Sequence, residues 1–219
     1  FVLDNLTRKL GIGKNLTITI QGFGNVGAHL ADLTYHGRHK IIALSDSTGG
    51  IHNPNGIDPH QAEEWKKKTG TVVGLKGTKE ITNDQLLTTQ CDILVPAALE
   101  NVITDKNTKN IKAKIILELA NGPTTVEADK ILTKKKIIVV PDILANAGGV
   151  IASYFEWREN KSGLKLEEEE LKAELKEILD DSFANVWDEA ERLKISLRDA
   201  AYVVAIKRIV EAMELRGQV

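Results

Sequence analysis

An α/β fold, with a mostly parallel sheet flanked by helices and a run of helices after it, is what this sequence predicts. Three observations carry that prediction. Short apolar strands alternate with helices as far as Pro141, a glycine-rich turn joins the first strand to the helix after it, and no convincing strand pattern follows Pro141. Strand–helix–strand alternation implies parallel pairing through right-handed crossovers.

Residues 16–20 (LTITI) alternate and are β-branched, the mark of a strand. Residues 25–36 predict a helix with Val26, Leu30 and Leu33 on one face. Residues 40–45 (KIIALS) have a continuously apolar centre, which suits a strand covered on both faces. Short helices are predicted at 59–68, carrying Trp65, and at 83–89, with Asn83 as the cap. Strands are expected at 92–95, 113–119 and 136–140; between the last two, Thr124/Thr125 precede a helix running to about Leu132. Beyond Pro141 three helices are expected. The first covers 142–160. The second covers 166–193, with a stripe that includes Leu179, Phe183, Val186 and Ala190. The third covers 197–215, with Tyr202, Ile206, Ile209, Val210 and Met213 on one face.

Composition narrows the class. The 219 residues are 42% apolar and 27% charged, a globular balance that excludes wholesale disorder. No apolar run approaches the roughly 18 residues of a membrane span, so no membrane partner is expected. Lys and Arg number 29 against 31 Asp and Glu, and a net charge of −2 gives no general pull toward nucleic acid or anionic lipid. The single cysteine, Cys91, forms no intrachain disulfide. It suits a cytoplasmic setting and reads as a small core residue. Among five histidines only His36 and His39 have ligand-like spacing; beside Arg38 and Lys40 they read as solvated, so no metal site is expected. The acidic run 167–170 opens a helix and Lys134-Lys135-Lys136 closes one, as the helix dipole favours. The chain starts at Phe1 with no signal-peptide pattern, which suggests a piece of a larger enzyme.

The sharpest motif is Gly22-Phe23-Gly24-Asn25-Val26-Gly27, a G-x-G-x-x-G set between a predicted strand and a predicted helix. Gly22 permits the tight turn, Gly24 lets backbone approach a pyrophosphate, and Gly27 lets the helix pack on the strand. Free amides at the helix N-terminus then face the phosphates. The fingerprint also needs an acid about 20 residues on, at the end of the next strand. Asp46 stands there and could accept both hydroxyls of an adenosine ribose. Together these features describe a Rossmann-type dinucleotide site. A bare structural turn and a simple loop acid are the competing readings. A carboxylate at 46 repels a 2′-phosphate and favours NAD, although Ser45, Ser47 and Thr48 leave NADP possible.

Three more segments lie at the C-terminal ends of predicted strands, where open α/β sheets bind ligands. They are residues 96–101 (PAALEN), 120–125 (ANGPTT) and 141–150 (PDILANAGGV). With 21–27 (QGFGNVG), 45–47 (SDS), 153–157 (SYFEW) and 198–202 (RDAAY), they closely resemble the C-terminal cofactor domain of the glutamate, leucine, phenylalanine and valine dehydrogenases, and most of all its glutamate-specific members. The resemblance covers essentially the whole chain. It implies a leading helix or linker at 1–14, an NAD(P)-binding domain at 15–155, a helical hinge and return segment at 156–219, and an N-terminal substrate domain outside this sequence. It implies that Gly22, Gly24, Asn25, Val26 and Gly27 hold the pyrophosphate, that Asp46 takes the adenosine ribose, and that Ala97 and Ala98 pass close to the cofactor with Asn101 nearby. Asn121 would reach the nicotinamide-side ribose and Asn146 the carboxamide. Val150 and Ser153 would border the substrate. Leu119 and Ile151 depart from the family pattern, which usually has a small residue and Thr there.

The reaction so implied is NAD(P)-dependent oxidative deamination of L-glutamate to 2-oxoglutarate and ammonia, in a homo-oligomer, a hexamer by family. The family's catalytic lysine follows a Gly-Gly pair in the substrate domain. Neither Gly49-Gly50 nor Gly148-Gly149 leads to such a lysine, and the Lys66-Lys67-Lys68 run is expected outside the cleft, so no catalytic residue is assigned here. Two other readings stay open. One is a stand-alone dinucleotide-binding or sensing module without catalysis; the other is a Rossmann enzyme of another class, such as a methyltransferase. Singly, Asn146 could also be a helix cap and residues 121–123 a plain turn.

Overall fold

The computed structural model describes residues 1–163, 165 and 167–218. The chain divides into two compact units, one of residues 12–142 and one of residues 1–11 with 143–219. The expected division kept 143–155 with the sheet and set the leading helix apart; the observed one groups both with the C-terminal helices.

In chain order the first elements are α1 (Val2–Leu10), β1 (Thr17–Gln21), α2 (Asn25–His36), β2 (Lys40–Ser45), β3 (Gly50–His52), α3 (Pro59–Thr69), β4 (Lys79–Ile81) and α4 (Asn83–Leu87). Next come β5 (Ile93–Pro96), α5 (Asp105–Thr108), β6 (Ile115–Leu117), α6 (Val126–Lys134) and β7 (Ile138–Val140). The helices α7 (Asp142–Ala145), α8 (Ala147–Ser162), α9 (Glu168–Leu193) and α10 (Leu197–Leu215) complete the chain.

The sheet of the 12–142 unit runs β4-β3-β2-β1-β5-β6-β7. Five strands, β2 through β7 in that order, pair in parallel, while β3 and β4 are antiparallel. The antiparallel edge was not expected. It follows from the turn after β2, where Asp46 N–H donates to Gly49 O at 2.8 Å and reverses the chain. From β1 the chain moves outward to β2 and later returns to the other side as β5, so strand order reverses at β1. The crevice at such a reversal is where these sheets bind ligands. Ile18, Ile20, Ile41, Leu44, Ile93 and Leu94 are fully buried, as the apolar runs predict.

Local chemistry sets the helix ends. Asp58 accepts from the amides of His60 and Gln61 with Pro59 in the first turn, and left-handed Gly70 stops α3. Thr82, not Asn83, caps α4 through a capping box with Gln85. Lys135 Nζ donates to the carbonyls of Thr108, Lys109 and Ile111, closing the α5 segment. On α2 the buried face is Gly27, Ala31 and Thr34, while the expected face is wrong at two positions: Val26 and Leu33 are exposed. Small residues win there because they let the helix axis come close to the sheet.

In the other unit the expected helix 142–160 is broken at Asn146 (φ −106°, ψ 5°). The predicted start of the next helix, Leu166, lies outside the described residues; α9 is described from Glu168, with a capping box between Glu167 and Glu170. Leu179, Phe183, Val186 and Ala190 are its buried stripe. Asn5 of α1 donates to Asp180 at 2.7 Å, and Trp187 stacks on Phe183. α10 spans the expected residues, but Tyr202, Ile206, Ile209 and Val210 on its apolar face are exposed.

Candidate functional site

Gly22 leaves β1 with φ +101°, a conformation that L side chains rarely adopt. Its N–H donates to Ser45 O, and a methyl there would meet Ala98 Cβ at 2.7 Å. Ala97 N–H donates to Gln21 O at 2.8 Å, so the ends of β1 and β5 are laced together at the strand-order reversal. A methyl at Gly27 would lie 1.9 Å from Gly22 O, which shows how closely α2 approaches β1. Gly24 is the N-cap of α2, and no side chain caps that helix. The amides of its first turn therefore have no intrahelical acceptor. No heavy atom lies within 4 Å of where a Gly24 Cβ would be. The result is a row of amides, with the positive end of a helix dipole behind it, facing open space: an anion cradle.

Asp46 follows β2. Its Oδ1 accepts from the amides of Thr48 (2.9 Å) and Gly49 (3.3 Å) and from the Thr71 hydroxyl (3.1 Å), and its Oδ2 accepts from Val72 N–H at 2.7 Å. Partial burial alone would raise its pKa, but the bonds from Val72, Thr48, Thr71 and Gly49 together outweigh it and hold the carboxyl below the ordinary range. Asp46 thus ties the β2–β3 turn to the segment at 71–72.

The ends of β5, β6 and β7 form a second set. Leu119 and Ala120 both donate to Pro96 O at 3.0 Å. Asn101, at φ +53°, donates to Gly122 O, and Gly122 N–H donates to Asp142 Oδ2 at 2.8 Å. Asp142 N–H in turn reaches Glu118 Oε2 at 3.0 Å. These bonds bring the loops 96–101 and 120–125, with Ala97, Ala98 and Asn121, together with Asp142 at the start of the third motif, to one edge of the sheet. Asn146, Val150 and Ser153 belong to the other unit. Asn146 is the residue before α8 and makes no capping bond, and Val150 and Ser153 are exposed on that helix.

Two residues were missed. Lys66, expected outside the cleft, donates from Nζ to Phe23 O at 2.7 Å and so holds the glycine loop from outside. It lines a cavity of about 690 Å³ with Phe23, Gly24, Asn25, His60 and Lys67. No spacing rule signals such a contact. Glu118 is fully buried at the end of β6; a lone acid inside the apolar run 113–119 was the available signal.

The family profile for the Glutamate/Leucine/Phenylalanine/Valine dehydrogenases matches residues 1–217. A glutamate dehydrogenase of Aeropyrum pernix is 48% identical over 212 residues, covering 95% of this chain and 51% of its own length. The cryptic catabolic NAD-specific glutamate dehydrogenase GudB of Bacillus subtilis is 44% identical over 216 residues, covering 98% of this chain and 50% of its own. The chain thus spans about half the length of the curated relatives it matches. Among solved structures, the hetero-hexameric glutamate dehydrogenase of Thermus thermophilus superposes with a TM-score of 0.91 at 28% identity, over 98% of this chain and 51% of that one. The enzyme of Peptoniphilus asaccharolyticus gives 0.82 at 35% identity, over 100% and 52%. The motif loops, the order of the sheet and these similarities agree: the chain belongs to the glutamate/leucine/phenylalanine/valine dehydrogenase family.

Proposed function

We propose that this chain is the nucleotide-binding part of an NAD-dependent glutamate dehydrogenase. The observation that carries the reading is the uncapped first turn of α2 at the strand-order reversal, with open space in front of Gly24. A Cβ there would occupy the room a pyrophosphate needs, so the residues present fit the dinucleotide. Residues 24–27 hold the pyrophosphate through their amides. Asp46 accepts from the adenosine ribose through Oδ2, which carries a single bond within the chain. Ala97 and Ala98 keep the floor of the crevice low, and Asn121 reaches the second ribose. Bound NAD supplies the hydride acceptor for Cα of L-glutamate, whose imine is then hydrolysed to 2-oxoglutarate and ammonia.

Asn146 orients the carboxamide, and Val150 and Ser153 border the substrate; Ser153 favours a side-chain carboxylate. NAD is preferred to NADP because Asp46 stays ionised where a 2′-phosphate would lie, and the NAD-specific names among the similar proteins support this choice. These 219 residues supply no catalytic acid or base, and in the hexamer the exposed face of α10 packs on the substrate domain. Calorimetry of the purified chain with NAD, NADP and S-adenosylmethionine tests the reading. Saturable binding of NAD, weaker binding of NADP and none of the methyl donor are expected. No NAD binding, or deamination by the chain alone, would overturn it.

A further inference from the structure

One cluster of side chains on α2 and α3 has no part in the reading above. Asp32 and His36 stand four residues apart on one face of α2, and His60 stands in the first turn of α3. The Nε2 atoms of His36 and His60 each lie 3.3 Å from Asp32 Oδ1. All three ligand atoms lie within 4.8 Å of one another. Asp32 Oδ1 is out of reach of solvent and accepts no hydrogen bond, so both imidazoles approach it without N–H···O geometry. The Tyr35 ring stands steeply inclined to both imidazoles, with centroids 6.0 and 6.2 Å away.

We propose that Asp32, His36 and His60 form a binding site for a divalent transition metal, zinc above all. A tetrahedron with bonds of about 2.0–2.1 Å, the range for zinc with imidazole and carboxylate, has edges of about 3.3–3.4 Å. That is the spacing found from the carboxylate to each imidazole. Two imidazoles with one carboxylate select zinc, copper or nickel over magnesium or calcium, whose preferred ligands are all oxygen. Three protein ligands leave a fourth position for water. The ion ties α2, whose first turn carries the phosphate cradle, to α3, whose Lys66 holds the Phe23 carbonyl. Asp32 and His60 also line the cavity shared with Phe23, Gly24 and Asn25. Spacing among histidines and cysteines does not signal this set. The partners of His36 are an Asp one turn earlier and a His from another helix.

The test is calorimetric titration of zinc chloride into the EDTA-stripped protein at neutral pH, without nucleotide. One-to-one saturable binding is expected. It should weaken at least about tenfold in each of Asp32→Asn, His36→Gln and His60→Gln, since each removes one ligand of three. His29→Gln, on the same helix but outside the cluster, should bind as the parent does. Zinc should raise the Tm of the parent and not that of the three variants. Both histidines are exposed, so Gln at either position leaves folding intact, which matching circular dichroism in EDTA checks. Absence of saturable binding, or binding retained in any of the three variants, would overturn the site.

Discussion

Two glycines of one motif should fail in opposite ways when replaced by alanine. At Gly27 the new methyl would lie 1.9 Å from Gly22 O and 3.0 Å from its carbonyl carbon. Both obstacles are backbone, so α2 must retreat from β1 by roughly an ångström to restore contact distance. Overpacking of this kind costs about 1–3 kcal/mol, and no side chain can rotate aside here, which places it at the upper end. Alanine's better helix propensity returns about 1 kcal/mol. The net loss is about 1–2 kcal/mol, read as a lower urea midpoint at unchanged m. At Gly24 no atom lies within 4 Å, and φ −87°, ψ −164° suits any residue. A gain of about 0.4–1 kcal/mol from the stiffer unfolded chain offsets a similar loss at an N-cap position that prefers glycine to alanine. Stability should stay within about 0.5 kcal/mol of the parent, while NAD affinity falls at least tenfold, about 1.4 kcal/mol. Urea unfolding and calorimetry on both variants separate the two effects. A Gly24→Ala protein that binds NAD like the parent would refute the cradle, and a Gly27→Ala protein as stable as the parent would refute the close approach of helix to strand.

Asp46→Asn should lower stability by about 1–2 kcal/mol at neutral pH, because an amide nitrogen must face donors that a carboxylate accepted. Folded Asp46 has a depressed pKa, so its contribution is present above the unfolded value of about 3.9 and is lost as pH falls through the folded one; thermal unfolding across that range should show the deficit shrinking in acid. Burial pushes the Cys91 thiol up to about 11, so a thiol reagent near neutral pH should label the protein only after unfolding in urea. Phe183→Ala removes a buried ring that stacks on Trp187 and should cost about 3–4 kcal/mol in urea unfolding.

What was legible in the sequence is what local pattern encodes. The five parallel strands carry Ile, Leu and Val, alternating with Thr in β1 and in short apolar runs in the others, and the glycine motif announces its own turn. The edge strands β3 and β4 are no shorter than β6 and β7, three residues each, but they hold Gly50, His52, Lys79 and Glu80 and are too polar to stand out. The buried face of α2 was misread because periodicity weighs size, whereas Gly27 and Ala31 are inside for want of it. The break at Asn146 has no proline to mark it, and Gly148-Gly149 lie inside α8 and not at the break. Lys66 on Phe23 O and the His60 partnership with α2 are long-range contacts, which no spacing within one element can encode.

The structural bonds of Asp46 bear on the ligand role proposed for it. The expectation was a carboxylate accepting both ribose hydroxyls. A carboxylate offers about four acceptor positions, and the chain already uses them unevenly, three donors on Oδ1 and one on Oδ2. In the proposed complex Oδ2 therefore takes one hydroxyl, not two. The internal bonds also fix the rotamer in advance, so ribose binding carries little of the ordering cost of a free side chain. The same donors keep the group ionised. A neutral or swinging acid could tolerate a 2′-phosphate by protonating or turning away, but one held by Val72, Thr48, Gly49 and Thr71 can do neither. In the proposed complex, discrimination between the two dinucleotides would thus rest on the turn after β2 as much as on the charge itself.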